Sequence, residues 1–153
     1  MSPETSLALA RYPLTLHACR CGCDELMLSR RLAVAFYDLA HLIDDATIQI
    51  TSGYRCTRHN KLSNGSPKSR HLYGQALDLR IHGLTIADQY AIALEVQAFA
   101  CGGIGVYLDW EQGPGLHLDV RGYVHRWASI DSELIAGNEG VQRALIVAEE
   151  RGV

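Results

Sequence analysis

Apolar residues recur along two stretches of the chain at the three- and four-residue spacing of a helix that is buried on one side. The first covers residues 25–43, where leucine, valine and phenylalanine are interrupted by charged residues. The second covers residues 85–100 and is apolar around much of its circumference, with Thr85 as a candidate N-cap and Asp88 near the capping-box position. The pattern predicts two helices that pack against the core.

Apolar and polar residues alternate in four shorter stretches, which is the two-residue repeat of a strand with one buried face. These stretches are residues 46–52, 76–81, 104–108 and 116–120. A turn at residues 109–114 joins the last two, which predicts a hairpin. Two helices and four strands in a chain of this length predict one α+β domain.

The 153 residues show no internal repeat, low-complexity tract or linker that would divide them. We therefore interpret residues 1–153 as a single domain. Its motif-bearing core covers about residues 19–127, with an arm at 1–18 and a C-terminal extension at 128–153. The hydrophobic pattern weakens in that extension, where we expect only a short helix within residues 141–150.

Two segments have no clear periodicity. Residues 57–70 are rich in Asn, Ser, Gly, Lys and Arg, which predicts a polar loop. The segment Cys19-Arg20-Cys21-Gly22-Cys23 separates its cysteines by one residue, whereas zinc knuckles usually use two. Five cysteines cannot all pair internally, so we expect reduced thiols, with a structural zinc or a disulfide to Cys56 or Cys101 as the alternative.

Charge and hydropathy exclude some classes of protein. The net charge of -3 and the pI near 6.1, without a basic cluster, argue against nucleic-acid binding. No segment approaches the ~18 apolar residues of a membrane span, and the N-terminal residues lack the pattern of a secretory signal. We expect a monomer that does not insert into membranes and is synthesised in the cytoplasm without a signal peptide.

The residues capable of metal chemistry lie mainly in two of the predicted strands and the turn before one of them. His71 and Asp78 are seven positions apart with Gly74 between them, and His117 lies within the last predicted strand. Two imidazoles and one carboxylate match the ligand count of a catalytic zinc, which leaves a fourth position for water. The spacing alone leaves two interpretations open, a zinc site and a hydrogen-bonded structural pair.

Hydrolysis at such a site also needs a base and a cation or donor for the developing oxyanion. Asp119 lies two residues after His117 and so on the same strand face, where it could reach the water or orient a ligand. Glu111 and Asp109 are the other candidate bases, in the preceding turn. Arg55 is the candidate cation, because its planar fork suits a carboxylate or an oxyanion. A surface salt bridge is the alternative role for each.

Five motifs occur in a distinctive order and spacing. They are Ser52-Gly53-Tyr54-Arg55, His59-Asn60, Ser69-x-His71-x-x-Gly74-x-Ala76-x-Asp78, Gly103-Ile104-Gly105-Val106-Tyr107 and His117-x-Asp119. Together they resemble the M15 zinc peptidases, in particular the D-alanyl-D-alanine carboxypeptidases and the cell-wall endopeptidases. The resemblance implies the hedgehog/DD-peptidase fold, which is α+β with a small, mainly antiparallel sheet and flanking helices. It also implies one Zn²⁺ per chain, held by His71, Asp78 and His117.

The resemblance further implies cleavage of peptide bonds in peptidoglycan stem peptides. Arg55 resembles the family arginine that engages substrate, with Tyr54 beside it, and Ser69 resembles the residue that supports the first ligand. The sequence departs from the family at Pro114, where several members have an acidic residue three positions before the last histidine. Another carboxylate must then act as base, and we favour Asp119, then Glu111.

These observations predict a zinc metallopeptidase that acts at the bacterial cell wall after release or delivery, as a phage or prophage endolysin or a tail-associated lysin does. The first alternative is a catalytically inactive, zinc-containing module of the same fold that binds a peptide or partner. The second is a purely structural metal site, closed by His59 or His125 as a fourth ligand. The sequence leaves open which bond is cleaved: D-Ala-D-Ala, another stem bond or a cross-link.

Overall fold

A six-stranded mixed sheet organises the structure, a computed structural model that describes residues 11–43 and 46–153. Its strands are β1 (Thr47–Ser52), β2 (Ala76–His82), β3 (Gly103–Tyr107), β4 (Gly115–Asp119), β5 (His125–Ile130) and β6 (Glu133–Ala136). They lie in the order β1-β2-β4-β3-β5-β6. Only the β3–β5 pairing is parallel within the sheet described. The predicted α+β fold with a mainly antiparallel sheet is confirmed, and so is the β3–β4 hairpin.

The helices of the described residues are α1 (Arg30–Leu42), α2 (Thr57–Leu62), α3 (Ile86–Glu95), α4 (Gln97–Ala100) and α5 (Gly137–Arg151), with 3-10 turns at Leu14–His17 and Arg70–Tyr73. Helix α1 begins at Arg30 rather than at residue 25, because the hydroxyl oxygen of Ser29 accepts a hydrogen bond from Leu32 N at 3.2 Å and caps the helix. From the sequence we also expect Asp44 and Asp45 to end this helix, and both lie outside the described residues.

The second predicted helix is divided in two. Its start is confirmed, because Thr85 Oγ1 accepts a hydrogen bond from Asp88 N at 3.2 Å. Val96, however, has extended backbone angles, and the chain turns there between α3 and α4. The turn buries both Val96 and Phe99 in the core, so tertiary packing overrides the continuous helical pattern.

Side-chain alternation gives the sheet two different faces. One face is apolar and packs against helices α1, α3 and α5, with fully buried residues such as Leu77, Leu79 and Leu118. Each such side chain contributes about 1.5–3 kcal/mol through burial, and truncation of one to alanine costs about 2–5 kcal/mol. The opposite face carries Asp78 and His117, so the helices leave it available for a site.

Two regions differ from the sequence-based expectation. No strand is predicted after residue 120, and residues 129–139 read as a mixed segment, yet residues 125–136 form β5 and β6, and β5 pairs in parallel with β3. The pattern was weak there because β6 is an edge strand with mostly exposed side chains. Residues 57–62, predicted as loop, form α2. The expected helix at 141–150 lies within α5, while the boundaries of the arm, core and extension stay predictions.

No helix of the described residues has the length and apolar character of a membrane span.

Candidate metal centre

Three different elements bring His71, Asp78 and His117 together. His71 belongs to the 3-10 turn Arg70–Tyr73, whose start is supported by Ser69, because Ser69 Oγ accepts a hydrogen bond from His71 N at 3.4 Å. Gly74 ends this turn with a left-handed φ of 60° and directs the chain into β2. Asp78 lies directly opposite His117 in the antiparallel β2–β4 register. The pairing therefore places a carboxylate and an imidazole side by side on the polar face.

The donor atoms of these three side chains form a compact triangle. His71 Nε2 lies 3.2 Å from Asp78 Oδ1 and 3.3 Å from His117 Nδ1, and His117 Nδ1 lies 2.9 Å from Asp78 Oδ1. Zinc bonds of about 2.0–2.1 Å in a tetrahedron separate two ligand atoms by about 3.3–3.4 Å. The observed separations are close to that spacing, so the three residues fit a zinc ion.

Hydrogen bonds on the far side of each imidazole select its tautomer. His71 Nδ1 lies 2.7 Å from the carbonyl oxygen of Gly53, which can only accept, so the ring donates its proton there and keeps a lone pair on Nε2. His117 Nε2 lies 3.0 Å from Asp119 Oδ2 and donates to that carboxylate, which leaves the lone pair on Nδ1. Both lone pairs face Asp78 Oδ1, and a bound cation would satisfy all three atoms.

Arg55 contacts the metal-ligand candidate Asp78. Its Nη2 donates to Asp78 Oδ2 at 2.6 Å, and its Nε donates to Ser52 Oγ at 2.9 Å. The Arg55 backbone N–H also donates to the carbonyl of His71 at 3.2 Å. Arg55 therefore occupies one carboxylate oxygen of Asp78 and leaves the other, Oδ1, directed toward the two histidines.

Asp119 is enclosed by hydrogen-bond donors. Its side chain is fully buried, and its oxygens accept from His117 Nε2, Gly103 N, Arg121 N and the Arg121 guanidinium at 2.5–3.1 Å. A Cβ at Gly103 would lie 2.3 Å from Asp119 Oδ2, so the strand can approach this carboxylate only with glycine at that position. Asp119 contacts the imidazole edge that faces away from the triangle.

The electrostatic environment separates the pKa values of these groups. Burial lowers the pKa of His71. For His117, burial also opposes the charge, but the nearby carboxylates of Asp119 and Asp78 favour the charged ring and raise its pKa. Burial alone would raise the pKa of Asp78, yet the neighbouring His71 and His117 hold it well below its usual range. The carboxylate ligand is thus ionised at neutral pH, as metal binding requires.

Two aromatic residues that the sequence analysis did not assign to the site lie beside His117. The Trp127 ring is 5.1 Å from the His117 ring, and Trp127 Nε1 donates to the hydroxyl of Tyr107 at 2.9 Å. A Cβ at Gly105 would lie 2.4 Å from the indole, so glycine there leaves room for Trp127. Trp127 comes from β5, the unpredicted strand, whereas Tyr107 was visible as the end of the Gly103–Tyr107 motif.

The remaining sequence candidates lie around this centre. Glu111 is exposed in the β3–β4 turn. Asp109 instead accepts from Ser129 Oγ at 2.7 Å and from the backbone of Ser132, at the β5–β6 turn. Tyr54 lines a separate cleft with cysteine residues.

Neither histidine considered as a fourth ligand belongs to the metal-binding group. His59 Nδ1 lies 3.3 Å from Cys19 Sγ, and His125 packs on Trp127 with ring centroids 5.0 Å apart. Among the described residues this group consists of His71, Asp78 and His117. Three protein ligands leave a coordination position open, which is typical of a catalytic rather than a structural zinc site.

Two histidines and an ionised aspartate, buried next to one another on the polar face of an α+β fold, form a candidate metal-binding site. The family is defined by the sequence match: the model of the Peptidase M15 family matches residues 5–112, and the chain belongs to that family. The match includes His71 and Asp78 and ends before His117, whose place in the site comes from the geometry. Among curated proteins none matches the chain.

Proposed function

We propose that this protein is a zinc-dependent peptidase that hydrolyses peptide bonds in peptidoglycan stem peptides. The observation that carries the proposal is the triangle of His71 Nε2, Asp78 Oδ1 and His117 Nδ1, with atoms 2.9–3.3 Å apart and an open fourth position. Membership of the Peptidase M15 family supports a hydrolase of peptide bonds. A zinc ion bound there supplies Lewis-acid chemistry, since it polarises a carbonyl and makes water nucleophilic near neutral pH.

The surrounding residues position the ligands. Gly53 O and Asp119 hold the imidazoles of His71 and His117 in the tautomers that present lone pairs. Arg55 orients Asp78 by occupying its second oxygen, and this contact also limits the part of its guanidinium that can reach substrate. We therefore propose that the main role of Arg55 is to orient Asp78, and that binding of substrate is its secondary role.

The carboxylate environments favour a division of roles between the two candidate bases. A general base needs an oxygen free to accept a proton, and both oxygens of Asp119 accept hydrogen bonds from Arg121. Asp119 is better suited to position His117. Glu111, exposed in the turn that leads into β4, is then the candidate base.

Tyr107 is suited to stabilise the oxyanion. Its hydroxyl oxygen accepts from Trp127 Nε1, which can only donate, so the hydroxyl proton is not used in that bond. Tyr107 is on the same sheet face as His117, because β3 and β4 pair with Gly105 opposite His117. A donor in this place can stabilise negative charge on a carbonyl oxygen.

The test is incubation of the purified protein with peptidoglycan, with and without a chelator, followed by mass spectrometry of the released ends. We expect chelator-sensitive cleavage that zinc restores, and none by His117→Ala. The released ends identify the bond: free D-alanine shows carboxypeptidase action, and new amino termini within the stem or cross-link show endopeptidase action. Absence of cleavage in all arms would leave the inactive binding module as the better interpretation.

A further inference from the structure

Four of the five cysteines lie together at a second place in the fold. The sulfur atoms of Cys19, Cys21, Cys23 and Cys56 all lie within 4.8 Å of one another. The fifth, Cys101, lies elsewhere and accepts a hydrogen bond from Gln97 Nε2 at 2.9 Å. We propose that the four clustered thiolates hold a second zinc ion, in a structural site distinct from the histidine and aspartate centre.

The distances within this cysteine cluster fit tetrahedral coordination. Zinc–sulfur bonds of about 2.3 Å place two ligand sulfurs about 3.8 Å apart in a tetrahedron. Cys21 Sγ lies 3.5 Å from Cys19 Sγ and 3.6 Å from Cys56 Sγ. Four thiolates complete a tetrahedron without a water ligand, which is the ligand set of a structural zinc.

The local backbone explains how cysteines one residue apart can surround a single point. The segment is a turn, with Gly22 in a left-handed conformation at φ 86°. Cys19 N donates to Glu25 O at 2.8 Å and closes the turn. Arg20 Nη2 donates to Ile50 O at 2.6 Å and fastens the turn to strand β1. The site is therefore built by the fold.

Hydrogen-bond donors next to the cysteine cluster stabilise the negatively charged thiolate form of its sulfur atoms. Cys56 N lies 3.4 Å from Cys19 Sγ, and His59 N lies 3.4 Å from Cys56 Sγ, each as a hydrogen-bond donor. His59 Nδ1, 3.3 Å from Cys19 Sγ, adds a further polar contact. Hydrogen bonds to ligand atoms orient them and stabilise their charge, as in other metal sites.

The arrangement favours a metal over a disulfide. A disulfide joins two sulfurs at about 2.05 Å and would leave the other two thiols of the cluster without a role. All four sulfurs instead lie within 4.8 Å of one another, close enough to bind one thiophilic cation such as zinc.

The second zinc would connect the turn at residues 19–23 to Cys56, which directly follows Arg55 in the chain. Arg55 in turn contacts Asp78 at 2.6 Å. The cysteine site thus holds the segment that supports the candidate catalytic centre, while its own metal content does not depend on peptidase activity.

The experiment measures zinc per chain in protein purified under reducing conditions, by mass spectrometry of the metal. We expect about two zinc ions in the parent protein. The Cys21→Ser/Cys23→Ser double variant, which changes two exposed residues, should lose one of them. Cys101→Ser is the matched control and should keep both. His117→Ala should lose the other zinc, so that failure at either site is recognised separately.

Cobalt substitution gives a second readout, and its first measurement, on the parent protein, does not depend on the folding of a variant. Cobalt in the parent protein should show thiolate-to-cobalt charge-transfer absorption, which remains in His117→Ala and disappears in the double cysteine variant. Retention of all zinc by the double variant would overturn the proposal. So would a disulfide within the cluster, detected in the native protein as the loss of two hydrogens in the intact mass.

Discussion

Asp119→Asn tests the assignment of Asp119 as the residue that positions His117. The substitution keeps the size of a fully buried side chain but replaces one acceptor oxygen with an amide donor. At the Oδ2 position that donor would face His117 Nε2 at 3.0 Å and Arg121 Nη2 at 2.5 Å, both of which donate in the native structure. The imidazole then loses the acceptor that keeps its lone pair on Nδ1.

Loss of such an outer partner typically lowers metal affinity about 10–100-fold, which equals about 1.4–2.8 kcal/mol of binding free energy. The Arg121 guanidinium would also lose its ionic partner, so we expect a further decrease of about 1–3 kcal/mol in the free energy of unfolding. If Asp119 were instead the general base, the substitution would leave zinc affinity unchanged and lower kcat.

The assay is a competition titration in which a chromogenic chelator removes zinc from the parent protein, Asp119→Asn and His117→Ala. His117→Ala shows which zinc belongs to this centre. The matched control is Asp131→Asn, the same change at an exposed aspartate paired with Arg151. Equal zinc affinity of the parent and Asp119→Asn would refute the positioning role.

Three further substitutions test other features of the structure. Arg55→Ala removes the 2.6 Å contact that orients Asp78, and we expect kcat/KM at saturating zinc to fall about 10–100-fold; unchanged kinetics would contradict this role. Gly103→Ala places a Cβ 2.3 Å from Asp119 Oδ2, so denaturant titration should show a loss of about 1–3 kcal/mol in the free energy of unfolding, and an unaltered midpoint would count against the close approach. His17 is buried, and neither ring nitrogen has a hydrogen-bond partner among the described residues, so burial lowers its pKa from 6.5 to about 4. The His17 imidazole therefore binds a proton more readily in the unfolded chain than in the folded one. The neutral buried ring contributes fully to the free energy of unfolding above pH 6.5, and this contribution falls by about 3 kcal/mol as the pH drops toward 4. His17→Phe should remove this pH-dependent contribution. The measurement is the difference in the free energy of unfolding between parent and variant at several pH values, and parallel pH profiles would exclude the contribution.

Short-range patterns in the sequence determined much of the fold. The alternation of Leu77 and Leu79 with Asp78 already assigned the carboxylate to the polar face of a strand, and the structure agrees. The residues that form the triangle were likewise recognisable from their types and from the motifs around them. These inferences succeed because they depend on neighbours two to four positions apart, where the backbone geometry is nearly invariant.

Only the tertiary structure decided how distant residues meet. The β2–β4 register places Asp78 opposite His117, and the hydrogen bonds beyond each ring select the tautomers. Its position two residues after His117 made Asp119 a candidate base. In the structure, hydrogen bonds from Arg121 and from His117 Nε2 hold its carboxylate at the edge of the His117 ring that faces away from Asp78. Cys56 joins three cysteines that precede it by more than thirty positions only because the turn and the end of β1 are held together. Strand pairing and loop closure bring together residues far apart in the chain, and local periodicity contains no information about those contacts.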